Sequence, residues 1–317
     1  MSRHWAQVDE LGFVFGMKLL FRLHAFFGRR VFRAVLAPVI AVYWLMARGA
    51  RRASLDYVRR LREHGVEPGR FASLRHFFAF GETILDKVLV WHGALHSDAC
   101  RVLNAKEIFR MMDAGEGGVI VTAHFGNIEA SRALAEVYKH GRRLHVLVHT
   151  LNSVRFNQLM AELGPASQLN LVRVDQFDTA TMMWLSAQVS RGDFVVITGD
   201  RVPVSQNGAV VEVPFLGDTA SFPIGPWILA AALKVPVFLM WAVPEGEGYC
   251  VSFDLFRETV SLPRRSRTEA LVPLVADFAQ RLEAQVRQSP LQWFNFFDFW
   301  HRPQGEVPQQ RVSEQHV

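Results

Sequence analysis

The stretch from Gly117 to Val137 constrains the fold of this chain more than any other part of its sequence. A pair of glycines leads into a short β-branched run, Gly118 to Thr122, which is typical of a buried strand. Phe125 and Gly126 then provide a turn, Asn127 is a favourable helix N-cap, and residues 130–137 are rich in helix-forming residues. The pattern predicts a strand, a turn and a helix in direct succession.

Two residues of this stretch, His124 and Glu129, have side chains suited to acid–base chemistry. On one regular helix, side chains five residues apart diverge by roughly 140°. Across a strand–turn–helix junction they can meet, and a carboxylate bonded to one imidazole nitrogen raises the basicity of the other. The two residues therefore form a candidate general base and its partner. They also fit an N-capped junction with a surface histidine, and spacing alone does not choose between these interpretations.

The chain beyond this stretch alternates between short apolar runs and amphipathic segments. This alternation predicts an α/β fold with a mostly parallel sheet flanked by helices, extending over residues 53–301. Residues 53–114 are predicted to be helical, and residues 302–317 to form a frayed tail. The other predicted strands are 144–149, 169–174, 193–198, 210–216, 235–243 and 249–256, and the other predicted helices are 153–163, 179–190, 226–233 and 268–288.

A second strand delivers polar residues in the same way as the first. Asp193 to Thr198 is strongly apolar after its first residue, and Gly199, Asp200 and Arg201 follow it. Because ligands bind at the carboxyl ends of strands in open α/β sheets, Asp200 and Arg201 are candidate neighbours of His124. An arginine there can hold a phosphate or an oxyanion. Arg155 follows the next strand along the chain and is a further candidate, although it also fits a solvated first turn.

The N-terminal residues 1–52 predict a helical segment that associates with a membrane. Aromatic and aliphatic residues alternate with basic ones up to Arg30, and residues 34–47 form an apolar run of fourteen flanked by arginines. Fourteen residues are fewer than the ~20 that cross a bilayer. An interfacial or re-entrant helix pair therefore fits better than a spanning helix, and an ordinary buried helix is the alternative.

Composition and the absence of several motifs reduce the number of partners and reaction classes that fit this sequence. The net charge is +5, and the basic residues comprise five lysines and thirty arginines, which favours acidic partners. The sequence contains no nucleophile elbow, no phosphate-binding loop and no nucleic-acid recognition motif. Its two cysteines and its paired histidines lack metal-ligand spacing, so we predict no metal, no cofactor and no nucleic-acid partner.

Three motifs in order resemble the lysophospholipid acyltransferase superfamily. They are His124-Phe-Gly-Asn-Ile-Glu129, Gly199-Asp200-Arg201 and Val213-Pro-Phe-Leu-Gly217. The resemblance runs from about Ala79 to Trp300 and is greatest to the lipid A biosynthesis (lauroyl/myristoyl) branch. The opening residues Arg3-His-Trp-Ala look more like bacterial acyltransferases associated with aryl-polyene pigments of the xanthomonadin type.

This resemblance implies transfer of an acyl group from acyl-carrier protein or acyl-CoA to a lipid hydroxyl at the cytoplasmic face of the bacterial inner membrane. It implies that His124 is the base and Glu129 its partner, with Asp200, Arg201 and Arg155 as further catalytic residues. Arg201 or Arg155 and backbone N–H groups near Asn127 would stabilise the oxyanion. The implied substrate-binding residues are Phe125, Gly126, Asn127, Pro214, Phe215 and Gly217.

Two other functions remain open on the sequence alone. A membrane-associated carrier would bind lipid or pigment without chemistry, and would not depend on His124. A thioesterase would use the same dyad with water and release free fatty acid in place of an acylated lipid.

Overall fold

The computed structural model describes residues 10–91, 100–129, 142–148, 169–173, 178–202 and 210–300. In the described residues the helices are α1 (Glu10–Met46), α2 (Arg48–Glu63), α3 (Ala72–Trp91), α4 (Lys106–Ala114), α5 (Thr179–Val189), α6 (Gly225–Leu233) and α7 (Arg267–Gln288). The strands are β1 (Cys100–Leu103), β2 (Gly118–Thr122), β3 (Leu144–Val148), β4 (Leu169–Arg173), β5 (Phe194–Thr198), β6 (Val210–Phe215), β7 (Asp218–Pro223), β8 (Val237–Glu245) and β9 (Gly248–Arg257).

Seven of these strands form one sheet in the order β1-β9-β8-β2-β5-β3-β4. Strands β8, β2, β5, β3 and β4 run in the same direction, and β9 pairs antiparallel to β8 through a tight hairpin. Strand β1 is parallel to β9. The predicted α/β class with a mostly parallel sheet is confirmed.

The central strand β2 is buried along its whole length because helices cover both faces of the sheet. Val119 and Val121 pack in the cluster that contains Phe278 of α7. Ile120 points to the other face, where it packs in the cluster that contains Ile108 of α4. The continuous apolar run that predicts this strand is thus explained by burial on two sides.

One element differs from the prediction in the region expected to be helical. Cys100–Leu103 is the edge strand β1, and its four residues of mixed polarity carry no clear strand pattern. Helix α3 is continuous through Gly81. Gly81 permits close approach of α1, since a Cβ at Gly81 would lie 3.2 Å from side-chain atoms of Leu36 and Ile40.

The strand predicted over residues 210–216 is confirmed as β6, whereas the strand β7 that follows it was not predicted. Strands β6 and β7 form a separate two-stranded antiparallel sheet with Phe215 opposite Asp218. Leu216 and Gly217 make the turn with φ angles of 46° and 77°. The alternating burial of β6 shows that one face of this hairpin packs on the core.

The N-terminal helix α1 bends at Gly28, whose φ and ψ angles are 75° and 179°. Its inner face packs Phe32, Leu36 and Ile40 against α3. No single described helix is long and apolar enough to cross a bilayer, although the pair Phe26–Met46 and Arg48–Glu63, bent by 96°, satisfies length and composition together. The predicted helical segment is therefore present; its division from the rest at residue 52 stays a prediction.

Candidate active site

The register of two neighbouring strands brings the two predicted polar motifs together. Strands β2 and β5 are parallel, with Thr122 paired to Thr198. Their carboxyl ends are therefore level, and the N–H of Gly199 donates to the carbonyl oxygen of Thr122 at 2.8 Å. His124 and Asp200 each lie two residues beyond a strand end and consequently face each other at the same edge.

His124 and Asp200 form the central hydrogen-bonded pair of this edge. Nδ1 of His124 lies 2.8 Å from Oδ1 of Asp200, and the backbone N–H of His124 donates to Oδ2 at 3.0 Å. The Asp200 side chain is only 2% exposed, whereas the His124 side chain is 33% exposed. The histidine can therefore meet a substrate while its carboxylate stays shielded from water.

Glu129 was predicted to pair with one imidazole nitrogen of His124, but the carboxylate that the structure places on Nδ1 is that of Asp200. The chain turns after Gly126, and the backbone N–H of Glu129 donates to Oδ1 of Asn127 at 3.2 Å. The half-buried Glu129 side chain interacts electrostatically with Lys87. The predicted helix over residues 130–137 lies outside the described residues, as does Arg155.

Asp200 is held as a carboxylate by the groups around it. Burial acts to raise its pKa, but the imidazole of His124 and the guanidinium of Arg201 hold that pKa below its ordinary value. The indole N–H of Trp293 adds a further hydrogen bond to Oδ2 at 3.1 Å. The ionised carboxylate fixes the proton of a neutral His124 on Nδ1, which leaves Nε2 as the basic nitrogen.

The pKa of His124 is lowered from its ordinary value of 6.5. Burial is the largest cause, and the positive charges of Arg201 and Lys87 act in the same direction, while Asp200 opposes them. The imidazole is therefore neutral near pH 7. A neutral imidazole with a free Nε2 is the form that accepts a proton from a hydroxyl.

The turn after His124 is fixed by close contact with β8. Gly126 has a φ angle of +65°, and a Cβ there would lie 1.8 Å from the carbonyl oxygen of Ala242. The N–H of Gly126 donates to the Gln292 carbonyl oxygen, and the N–H of Asn127 donates to that of Ala242, both at 2.8 Å. The N–H groups of Gly126 and Asn127 therefore already serve protein acceptors and are not available to an oxyanion.

The predicted substrate-binding residues of this turn and of the hairpin lie mostly in the core. Phe125 is 1% exposed and packs edge-on against Trp241, and Asn127 is fully buried. Phe215 is fully buried with its ring centroid 5.1 Å from that of Trp293. Pro214 is exposed on β6, and Gly217 lies in the hairpin turn against the ring of His64.

A segment near the C-terminal end, residues 292–294, ties the two motifs together. The N–H of Phe294 donates to the carbonyl oxygen of His124 at 2.8 Å, and Arg201 donates to the Phe294 carbonyl oxygen at 2.7 Å. With the Trp293 bond to Asp200, this segment contacts every member of the dyad. Sequence reasoning did not assign Trp293 or Phe294 to the site, although the dense aromatic run around them was visible.

Arg201 lies where it was predicted, beside the dyad. Its Nε is buried and has no hydrogen-bond partner among the described residues. Its guanidinium carbon is 5.7 Å from the ring centroid of Phe297, which is 45% exposed. Arg201 thus has hydrogen-bonding capacity left for an anionic ligand.

A cavity among the described residues lies away from this edge. It has a volume of about 310 Å³ and is lined by residues such as Gly117 and Pro236, which precede β2 and β8. This is the amino-terminal edge of the parallel strands, opposite His124. Ligands of such sheets bind beyond the carboxyl ends of the strands. The candidate site therefore lies at the carboxyl edge, where His124 is.

A buried aspartate that orients a partly exposed histidine, with a cation alongside, is an arrangement suited to general-base catalysis. Comparison with known families gives the class of reaction. Residues 78–302, more than two thirds of the chain, match the family described as bacterial lipid A biosynthesis acyltransferase, and the chain belongs to this family. A search of curated proteins returned no match.

Proposed function

We propose that this protein transfers an acyl group from a thioester of acyl-carrier protein or CoA to a hydroxyl of a lipid acceptor. The single observation that supports it most is the His124–Asp200 pair beside Arg201 at the carboxyl edge of the sheet. Membership of an acyltransferase family supplies the reaction class. A neutral base, a fixed tautomer and an adjacent cation are what direct attack on a thioester requires.

The proposed reaction needs no covalent enzyme intermediate. Nε2 of His124 takes the proton of the acceptor hydroxyl as its oxygen bonds to the thioester carbon, and the carbonyl electron pair moves to oxygen. When that oxyanion collapses, the carbon–sulfur bond breaks and the thiolate leaves with the electron pair, taking a proton from the imidazolium. Arg201 is suited to stabilise the oxyanion, because its Nε has no acceptor among the described residues.

Glu129 and Arg155 remain proposed members of the site. The charge of Glu129 lies near Lys87, so we propose that Glu129 tunes or orients the cations of the site rather than Nδ1 of His124. For Arg155, oxyanion or phosphate binding is proposed from the sequence alone. The association with aryl-polyene pigments suggested by the opening residues, with a polyene acyl group as the alternative group transferred, likewise stays a prediction.

We also propose that α1 attaches the protein to the cytoplasmic face of the inner membrane. Apolar side chains on its outer face are exposed, including Val39, Val42 and Leu45, each more than half exposed. Such a face is suited to the interfacial layer of a bilayer. Co-sedimentation with phosphatidylglycerol vesicles should be strong for the wild type and weak for Val39→Asp/Val42→Asp; equal binding would contradict this attachment.

The test of the proposed reaction is thiol release from acyl-carrier protein and acyl-CoA, with bacterial lipid extract as acceptor. Because the protein contains free Cys100 and Cys250, release is measured against an enzyme blank. His124→Ala should lose ~10²–10⁴-fold of the rate, and mass spectrometry should show a new acylated lipid. Free fatty acid instead would indicate a thioesterase, and bound lipid without thiol release would indicate a carrier.

A further inference from the structure

The active site contains a cation that neither the motifs nor the proposed reaction has used. Lys87 on α3 interacts electrostatically with Glu129 and Arg201, and its charge also reaches His124. His124 and Glu129 follow β2, and Arg201 follows β5. Lys87 therefore belongs to the immediate surroundings of the dyad.

The position of Lys87 follows from the face of α3 that it occupies. His76, Phe80 and Lys87 are separated by four and seven residues, so they lie on one side of the helix. His76 bonds the carbonyl oxygen of Trp293 at 2.8 Å, and the Phe80 ring lies 5.4 Å from that of Phe294. This side of α3 thus runs along residues 293–294, which bond both Asp200 and His124.

A buried bond fixes the end of α3 that carries Lys87. Asp86, the preceding residue, is 2% exposed and accepts a hydrogen bond of 2.6 Å from the hydroxyl of Tyr249. It also pairs with Arg29 of α1 at 2.9 Å. The backbone carrying Lys87 is therefore anchored.

Among the described residues, no hydrogen bond or close ion pair is found for the ammonium of the half-buried Lys87. Its charge interacts with that of Glu129 without direct contact. Burial lowers its pKa more than Glu129 raises it. A cation held in this way is unfavourable for folding unless an anion joins it, which is the property of a ligand-binding group.

Two of the backbone N–H groups near His124 are not available to an oxyanion. Those of Gly126 and Asn127 donate to protein carbonyl oxygens. Donors aimed at the developing charge are the largest single contribution in many enzymes. Among the described residues, Arg201 and Lys87 are the cations whose charges act on His124, and Nε of Arg201 has no hydrogen-bond partner there.

We propose that Lys87 is a catalytic residue whose ammonium, together with the guanidinium of Arg201, binds the anionic oxygen that forms on the thioester carbonyl during attack. This role rests on the proposed acyl transfer. With this role, helix α3, which packs outside the sheet, takes a direct part in the chemical step. It also explains why α3 is tied to the catalytic loops through buried polar bonds.

The test compares Lys87→Met, Lys87→Arg and the control Lys106→Met, which removes an exposed charge at the start of α4. Loss of one oxyanion donor lowers kcat by about 10²–10³-fold, so Lys87→Met should show that loss with little change in KM. Lys87→Arg should retain most of the rate, and Lys106→Met should match the wild type. An increase in KM alone would mean that Lys87 binds a substrate phosphate and would overturn the proposal.

Two further readouts separate this role from its alternatives. The charges around His124 come from Asp200, Arg201, Lys87 and the nearby Glu129, and loss of Lys87 raises the pKa of His124. A rate loss due only to that change disappears once the pH is well above the pKa of His124, whereas a lost oxyanion donor lowers kcat at every pH. The thermal midpoint of Lys87→Met should equal or exceed that of the wild type, and a variant that fails to fold would make Lys87 structural and overturn the proposal.

The failure of this proposal is distinguishable from that of the acyl-transfer reaction. If wild-type protein releases no thiol in a His124-dependent way, the reaction itself is wrong. If the wild type does so and Lys87→Met equals it across the pH range, only the role of Lys87 is wrong.

Discussion

Nδ1 of His124 lies 2.8 Å from Oδ1 of Asp200, although the two residues are 76 positions apart in the chain. Their contact results from the parallel pairing of Thr122 with Thr198, which brings the ends of β2 and β5 level. The register of a buried pair of strands is strongly specified, because a shift of one residue would turn every side chain to the other face. The alignment of the dyad is thus a property of the sheet.

The first prediction concerns the turn that follows the histidine. Gly126→Ala should destabilise the protein well beyond the 1–2 kcal/mol typical of a left-handed backbone (an order-of-magnitude value), because its Cβ would meet the carbonyl oxygen of Ala242. Gly246→Ala is the matched control, since Gly246 also has a positive φ angle, of 61°, and open space around it. Thermal unfolding compares the two variants, and equal losses would contradict the close contact.

The second prediction concerns the tryptophan that bonds Asp200. Trp293→Phe keeps an aromatic ring in place but removes the indole donor, so it should cost about 1.5–3 kcal/mol of stability and lower the acyl-transfer rate about tenfold or more. Trp227→Phe is the control, because Trp227 is equally buried and its Nε1 has no acceptor among the described residues. Denaturant unfolding and the rate assay together check this difference.

If Trp293→Phe and Trp227→Phe have equal effects on both stability and rate, the Trp293–Asp200 bond has no role in positioning the dyad. A loss of stability without a loss of rate would limit Trp293 to packing.

The third prediction concerns the pH dependence of stability. Burial lowers the pKa of His76 from 6.5 to about 4, so the unfolded chain binds a proton in this interval that the folded protein does not. The free energy of unfolding therefore does not change through His76 above pH 6.5, and it falls by about 3 kcal/mol through His76 as the pH falls to 4. Urea unfolding at several pH values measures this change.

His76→Gln is the control for this titration, because glutamine can still meet Ser54 and Trp293 but does not titrate. The variant should lose less stability than the wild type between pH 6.5 and 4. Parallel losses in the two proteins would show that other groups account for the acid sensitivity.

Several parts of the site were predictable because they depend on local sequence. The apolar runs before His124 and before Asp200 specify β2 and β5, and the polar residues that follow must lie at the carboxyl edge. The choice of Asp200 over Glu129 was not predictable, because it depends on which strands are neighbours and in what register. Local spacing favours Glu129 as the carboxylate partner of His124, whereas the pairing of β2 with β5 places Asp200 in that position.

The contributions of Trp293 and Lys87 depend on packing between distant segments. Trp293 reaches Asp200 from a stretch after the last helix, in a run where every aromatic residue is an equally good candidate for the core. Lys87 is recognisable only when the side of α3 that faces residues 293–294 is known. Neither residue has a sequence motif that marks it.

The measurement that tests the catalytic dyad most directly is the pH–rate profile of thiol release for wild type, Asp200→Asn and Glu129→Gln. The wild-type rate should stay level down to below pH 6.5, because burial and Arg201 lower the pKa of His124. Asp200→Asn should lower the plateau about 10³–10⁴-fold, since an amide can donate to Nδ1 and favour the wrong tautomer. Its acid limb should also move to lower pH, because the charge that raises the pKa of His124 is gone.

Glu129→Gln should lose less of the plateau rate than Asp200→Asn if Asp200 orients the base. Wild-type turnover by Asp200→Asn, together with a severe loss in Glu129→Gln, would contradict the His124–Asp200 dyad and make Glu129 the partner of the base.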